Sequence, residues 1–358
     1  MNIAQLLKYT KEQGASDLHL SAGLPPKIRL HGSLRSLKMD PLSREELRKM
    51  LFDILSEEQK KRYESDLEID LSYSVKEVAR FRVNVYRQER GDSAAFRIIP
   101  SDCPTLAQLN MPPILGEMAL KEKGLILVTG PTGSGKSTTL AAMVNHINEN
   151  KTSHVITIED PIEFVHASKN CLVHQRELGE HTHSFSAALR SALREDPDVI
   201  LVGEMRDLET TSLAITAAET GHLVLATLHT NSAAKTIDRA IDIFPAESRD
   251  QVRTMLSESI LAIVAQALIP RRDGQGRVAA LEILVATVAI RNLIREGKTF
   301  QIPSLLQTGQ QVGMQCLDLH LKELVAKGII SKEEAVKKAL DPKAFGELPE
   351  RPPIRRTN

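Results

Sequence analysis

One octapeptide limits this chain more than any other feature. Gly130-Pro131-Thr132-Gly133-Ser134-Gly135-Lys136-Ser137, followed by Thr138, fits the pattern G-x-x-x-x-G-K-[S/T]. Its surroundings fit too, because the apolar run 125–128 enters it and residues 138–144 leave it with helical character. A strand, a glycine-rich turn and a helix in that order let successive backbone N–H groups curl around phosphate oxygens, while the helix N-terminus adds partial positive charge. Lys136 is placed to reach the β- and γ-phosphates of a nucleoside triphosphate, and the Ser137 hydroxyl to ligate Mg²⁺. The loop specifies a triphosphate and leaves open what its energy is used for.

From Gly124 onward, short apolar runs alternate with polar turns and helical segments. Residues 125–129, 155–158, 199–202 and 223–227 lack period-2 alternation, which suits strands buried on both faces of a parallel, doubly wound sheet. Ligands of such sheets sit beyond the carboxyl ends of the strands, so the residues after each run are read together. They are Glu159, Asp160 and Glu163; Gly203 and Glu204; and Leu228 and His229. The aspartate usual at the end of the third run is replaced by Gly203. Glu204 is then the candidate general base, and Mg²⁺ is expected to lean on Ser137, on waters and on Glu163. Each has a plainer reading: Glu204 as a surface acid paired with Arg206, Glu163 as a solvated turn residue, Glu159 and Asp160 as loop caps. His229 stands where a γ-phosphate sensor would, and His222 precedes the same run; both also fit ordinary hydrogen-bonded histidines. His174, His181 and His183 lack a partner at ligand spacing and are not expected to bind metal.

Residues 1–99 read as a small α+β unit. Ile3, Leu6 and Leu7 have helical spacing, and short strands are expected over 18–20 and 27–34, the latter turning at His31-Gly32. Ser43 and Glu46 resemble a capping box ahead of a helix carrying Leu47, Met50, Leu51, Ile54 and Leu55. Phe81, Val83 and Val85 alternate with Arg80, Arg82 and Asn84, predicting a strand, and residues 94–99 with Arg97 predict its neighbour. Pro100, Pro104, Pro112 and Pro113 mark residues 100–120 as a linker. Residues 121–347 form the α/β unit, mostly helical from Asp250, and 348–358 a flexible tail.

Several arginines have no evident local partner. Arg82 and Arg97 could project from one face of adjacent strands, and an arginine fork stabilises the charge spread over a transferring phosphoryl group. Arg190 and Arg194 lie four apart on a helix expected over 185–194. Residues 289–296 form another amphipathic helix, with Thr287 as N-cap and Gly297 just past its end. Ile290, Leu293 and Ile294 face inward there, which leaves Arg291 and Arg295 on the other side.

Composition excludes several classes. Lys plus Arg and Asp plus Glu are 46 each, Trp is absent and aromatics are 3%, so no basic channel or stacking platform for nucleic acid is expected. Cys103, Cys171 and Cys316 are far apart, which excludes a disulfide framework and a four-cysteine zinc module. The longest apolar run is six residues, 260–265, against the ~20 a membrane-spanning helix needs. The N-terminus lacks the pattern of a signal peptide. A cytoplasmic protein is expected.

Taken together, these elements resemble the PilT family of pilus retraction motors within the secretion ATPase superfamily. The resemblance rests on residues 14–20 (Gly-Ala-Ser-Asp-Leu-His-Leu), residues 80–85, the phosphate loop, the acidic box 156–163, residues 192–207, the histidine box 221–229 and the block 289–296. It implies a PAS-like N-domain over 1–99, a RecA-like ATPase domain over 121–347 and a homohexameric ring using ATP and Mg²⁺. It implies roles for Glu204 in catalysis, for Glu163 and His229 in the acidic and histidine boxes, and for Arg82 and Arg97 in completing the site. Arg291, Arg295 and His222 would serve motor coupling. The implied partner is the inner-membrane platform protein of a type IV pilus machine, with membrane contact only peripheral. An accessory retraction paralogue or an assembly ATPase is the alternative, and a RecA-like nucleic-acid motor a remoter one. Thr211-Ser212, Ala226, residues 316–320 and the chain after Ile330 depart from the family pattern.

Overall fold

Three helices of the N-terminal unit begin in the same way. In α1 (Ile3–Glu12), α2 (Arg44–Phe52) and α3 (Glu57–Asp66), the side chain of Asn2, Ser43 or Ser56 accepts from the N3 backbone N–H. The N3 side chain, of Gln5, Glu46 or Gln59, accepts in turn from the cap's own N–H, so each box satisfies two otherwise orphaned donors. The Ser43 box is the one the sequence predicts. The computed structural model describes residues 2–30, 32–100 and 103–346. His31 of the expected turn and the expected tail 348–358 lie outside them.

Strands β1 (Asp17–Ser21), β2 (Lys27–Leu30), β3 (Ser33–Ser36), β4 (Glu68–Val75), β5 (Ala79–Gln88) and β6 (Gly91–Ile99) form an antiparallel sheet in the order β3-β2-β1-β6-β5-β4. Phe81, Val83 and Val85 are fully buried, packed in one cluster with Leu6, Leu18 and Tyr63. Arg82 and Arg97, at the intervening positions, are exposed. The expected strand over 27–34 is the hairpin of β2 and β3.

Two compact units emerge, one up to Cys103 joined by Pro161–His166, the other from Pro104 onward without that segment. The second unit contains α4 (Pro113–Ala119), β7 (Gly124–Thr129), α5 (Lys136–Asn150), β8 (His154–Glu159), β9 (Leu172–Glu177), α6 (Phe185–Ala192) and β10 (Val199–Val202). It continues through α7 (Leu208–Glu219), β11 (Leu223–Leu228), α8 (Ala233–Asp242), α9 (Arg249–Ser259), β12 (Ile260–Pro270) and β13 (Arg277–Val285). It closes with α10 (Val288–Arg295), α11 (Ile302–Thr308), α12 (Leu317–Ala326) and α13 (Lys332–Val336).

The second sheet runs β13-β12-β7-β11-β10-β8-β9, parallel throughout except for the β12–β13 pair. Every residue of β7, β10 and β11 is buried, as their continuous apolar runs predict. Helices α4 and α5 cover one face, and α6 to α9 the other. One expectation is incomplete. The chain from Asp250 starts in α9 and ends in α10 to α13, as a mostly helical segment should, but between them lie β12 and β13, the two longest strands of this sheet. A short run that is apolar at every position, such as 260–265, has no periodicity to separate buried strand from buried helix.

The segment that departs from the family pattern has a structural place. Gln315 exchanges backbone hydrogen bonds of 2.9 Å with Ile283, and the Leu281 N–H donates to His320 Nδ1 at 3.0 Å, so residues 315–320 close the outer side of β13.

Candidate nucleotide site

Because β8, β10, β11 and β7 run parallel, their carboxyl ends open on one edge of the sheet, which carries Glu159 and Asp160, Gly203 and Glu204, and His229 at or directly after the ends of their strands. The phosphate loop leaves β7 at Gly130 (φ +145°), passes Gly133 (φ +77°) and enters α5 from Gly135 (φ +86°). A Cβ at Gly130 would lie 2.3 Å from the Gln266 carbonyl oxygen, so no other residue fits. No side chain caps α5. Its first-turn N–H groups therefore face outward without a local acceptor, as an anion site requires. The Ser134 hydroxyl is buried without a hydrogen-bond partner. Pro131 and Thr132 are exposed, while Ser137 and Thr138 are half-buried on the first turn. Lys136 Nζ donates to the carbonyls of Gly130 at 2.9 Å and Pro131 at 3.3 Å, curling over the loop.

At the end of β10, where an aspartate is expected, the space beside Gly203 is tight. Gly203 N–H donates to the Ile158 carbonyl at 2.8 Å, and a Cβ on Gly203 would stand 3.0 Å from that same oxygen. Glu204 Oε2 lies 2.7 Å from Arg206 Nη2, and Oε1 lies 3.2 Å from His229 Nε2. The plainer pairing with Arg206 is therefore present, together with the contact to His229 that it did not include. Arg206 also approaches Asp160 at 3.8 Å. Burial pushes the Glu204 carboxyl up, but the Arg206 hydrogen bond and charge, aided by His229, outweigh it and hold the group below the usual glutamate value.

Other expected residues are placed differently. Glu159 accepts from Thr157 Oγ1 at 2.7 Å and Gln175 Nε2 at 3.2 Å. Glu163 is exposed and lies in Pro161–His166, the segment that clusters with the first unit. His222 sits at the opposite end of β11 from His229, with Nδ1 2.9 Å from the Ala217 carbonyl. His174 Nδ1 meets His154 Nε2 at 3.0 Å, and among the described residues no three acidic, histidine or cysteine side chains group as metal ligands. Arg190 pairs with Glu209, and Arg194 donates to the Arg190 carbonyl at 2.9 Å.

In the first unit, cross-strand register aligns Arg82 with Arg97, Arg97 with Asp17, and Asp17 with Arg29. Two arginines directly opposed would repel. Acids offset this at both sides: Arg97 Nε lies 2.8 Å from Asp17 Oδ1, and Arg82 Nε lies 3.9 Å from Asp70. Asp17 is only 5% exposed; burial raises its carboxyl, while hydrogen bonds from Ser16 and Arg97 bring it below the usual value.

Thr287 caps helix α10, its side chain accepting from the Ile290 N–H, and Gly297 (φ +69°) follows the helix, as the sequence predicts. Arg295 is exposed, 3.2 Å from Asn292 Oδ1. Arg291 departs from the expected solvated face. Its Nη1 donates to the carbonyls of Ser257 and Glu258, both at 2.6 Å, and its Nε to Ala286 at 3.1 Å.

A family model described as Type II/IV secretion system protein matches residues 2–337. The chain is 58% identical over 345 residues to the type IV pilus retractation ATPase PilT of Pseudomonas aeruginosa, covering 96% of this chain and all of that one. It is 41% identical to the type IV pilus ATPase PilU of the same organism over 94% of this chain and 88% of that protein. The solved structure of the pilus retraction motor PilT with bound ADP superposes with a TM-score of 0.91 at 48% identity, over 96% of this chain and 98% of that one. The chain belongs to the type II/IV secretion system family, among its PilT-type ATPases.

Sequence reasoning missed two buried residues of this PilT-type ATPase that brace its site. Gln266 on β12 contacts the phosphate loop. Glu282 on β13 accepts from the Ala233 N–H at 2.7 Å, fixing the start of α8 just beyond His229, and burial keeps its carboxyl above the usual value. The signal available for both was a polar residue inside an otherwise apolar run.

Proposed function

We propose that this chain is a motor that hydrolyses ATP to retract type IV pili, and so drives twitching motility. The observation that carries it is the phosphate loop with Lys136 at one strand end and the Glu204–His229 pair at the neighbouring strand ends. The likeness to a retraction ATPase over nearly the full chain supports the reading of what the energy does.

In this reading the loop N–H groups and Lys136 bind the phosphates of ATP. Ser137 would hold Mg²⁺, with Glu163 as the acidic-box residue that the family resemblance assigns; among the described residues no protein-only ligand cage is present, which suits an ion that rides mainly on phosphates and water. When bound, that ion withdraws charge from the phosphate oxygens. Glu204, ionised at neutral pH, accepts a hydrogen bond from the attacking water and aims it at the γ-phosphorus. His229, touching Glu204, responds to whether that phosphate is present. Arg82 and Arg97 neutralise the developing charge in a homohexameric ring. The ring works in the cytoplasm against the platform protein of the inner membrane, contacting the membrane only through it, and Arg291, Arg295 and His222 transmit the motion.

Phosphate release by the purified protein, with Lys136→Ala and Glu204→Gln beside it, tests the chemistry: activity is expected only in the wild type. Deleting the gene tests the work done. Excess pili that do not retract are expected; bald cells would mean assembly instead.

A further inference from the structure

Gln266 is a polar residue at the end of the most apolar run in the chain, and it is only 4% exposed. An amide buried without partners is costly, so its two hydrogen bonds identify what holds it there. Its Oε1 accepts from Thr139 Oγ1 at 2.8 Å, and its Nε2 donates to the Ser134 carbonyl at 2.7 Å. Thr139 is fully buried on α5, so the amide is anchored at one side and grips the loop at the other.

The sheet topology explains the placement. Strand β12 pairs in parallel with β7 up to Ala265 opposite Thr129. Gln266 is the first residue beyond that ladder, where β7 has turned away into the loop while β12 continues beside β13. Its carbonyl oxygen would lie 2.3 Å from a Cβ on Gly130, and its Nε2 would lie 2.8 Å from one on Gly135. One residue thus packs against both ends of the glycine loop.

The peptide between Ser134 and Gly135 is planar and trans, so its C=O and N–H point in opposite directions. Holding the Ser134 carbonyl toward β12 therefore turns the Gly135 N–H away from β12. We propose that Gln266 is a positioning residue that presets this peptide so that the Gly135 N–H points at the phosphate of a bound nucleotide. This rests on the ATPase reading above. Without the amide, the peptide can rotate, and the ordering must be done by each arriving nucleotide, which weakens binding.

The test is the affinity for ADP, measured by fluorescence with a labelled analogue and by competition with inorganic pyrophosphate. Gln266→Met keeps the shape and removes both hydrogen bonds; an increase in Kd of about tenfold or more is expected for both probes. Gln266→Glu keeps the acceptor for Thr139 and can donate to Ser134 only when protonated. Its affinity should therefore recover as pH falls, while that of the Met variant should not follow. Should the Met variant not fold, Thr139→Val removes only the anchor and carries the same expected direction. Variants that lose thermal stability yet bind ADP within twofold of wild type would overturn the proposal. Failure of the wild type itself to bind ADP would sink the ATPase reading and this inference with it.

Discussion

The guanidinium of Arg291 donates to the carbonyl of Ser257 at 2.6 Å, at the point where α9 ends and β12 begins. The last carbonyls of a helix have no partner within it and carry partial negative charge, so a half-buried cation there closes the end chemically and electrostatically. Burial lowers the Arg291 pKa from its usual value while Glu258 acts in the opposite sense, yet an arginine stays charged. Helix α9 packs on both α10 and α7, and α7 starts directly after the Glu204–Arg206 segment.

Arg291→Ala therefore takes the donor from three carbonyls and should destabilise the second unit by about 1–3 kcal/mol. ATP hydrolysis at low temperature is expected within about twofold of wild type, while twitching zones on agar shrink or vanish. A variant silent in motility would remove the coupling role of α10.

Glu204→Gln loses its charge toward Arg206 and His229. Hydrolysis should fall about 10²-fold or more while nucleotide affinity is retained, because the residue acts on the water rather than on binding. The Glu204 pKa in the fold lies below its unfolded value, so its ion pair contributes stability above that unfolded value and loses it as pH falls through the folded one. The rate–pH profile should accordingly show no acid limb from Glu204 down to about pH 5.

Restoring an aspartate at position 203 should not improve the enzyme. Its Cβ would press on the Ile158 carbonyl at 3.0 Å and come within 3.3 Å of Glu159 Cα. A loss of about 1–3 kcal/mol by thermal melting is expected for Gly203→Asp, with reduced hydrolysis. Equal or higher activity would mean the β8–β10 edge yields more easily than this geometry allows.

Tyr63 gives a pH signature in the first unit. Burial, and then its hydrogen bond to Asp92 Oδ1 at 2.7 Å, raise its phenol from 10.0 to about 12. A raised folded value means the contribution to stability is complete below the unfolded pKa and is lost as pH rises through the folded one. Absorbance titration should therefore show a tyrosine step at about pH 12, and Tyr63→Phe should abolish it.

What was legible in the sequence follows from local chemistry. The phosphate loop, the mostly apolar strands before Gly130, Gly203 and His229, and the caps at Ser43 and Thr287 each depend on residues close in the chain. Helix α3 escaped because Tyr63 is its only buried residue, which leaves no apolar stripe to read. Strands β12 and β13 escaped because a mostly apolar run does not separate buried strand from buried helix.

By itself the sequence determined that a triphosphate loop sits at a strand end, and that Glu204 and His229 follow strands of the same sheet. Only the tertiary structure decided that Glu204 would also meet His229, that a Cβ at Gly203 would press on the Ile158 carbonyl, and that Arg291 closes a helix instead of facing water. The physical reason is that each of these depends on atoms from segments distant in sequence, brought within about 3 Å by strand order and helix packing, which no local pattern encodes.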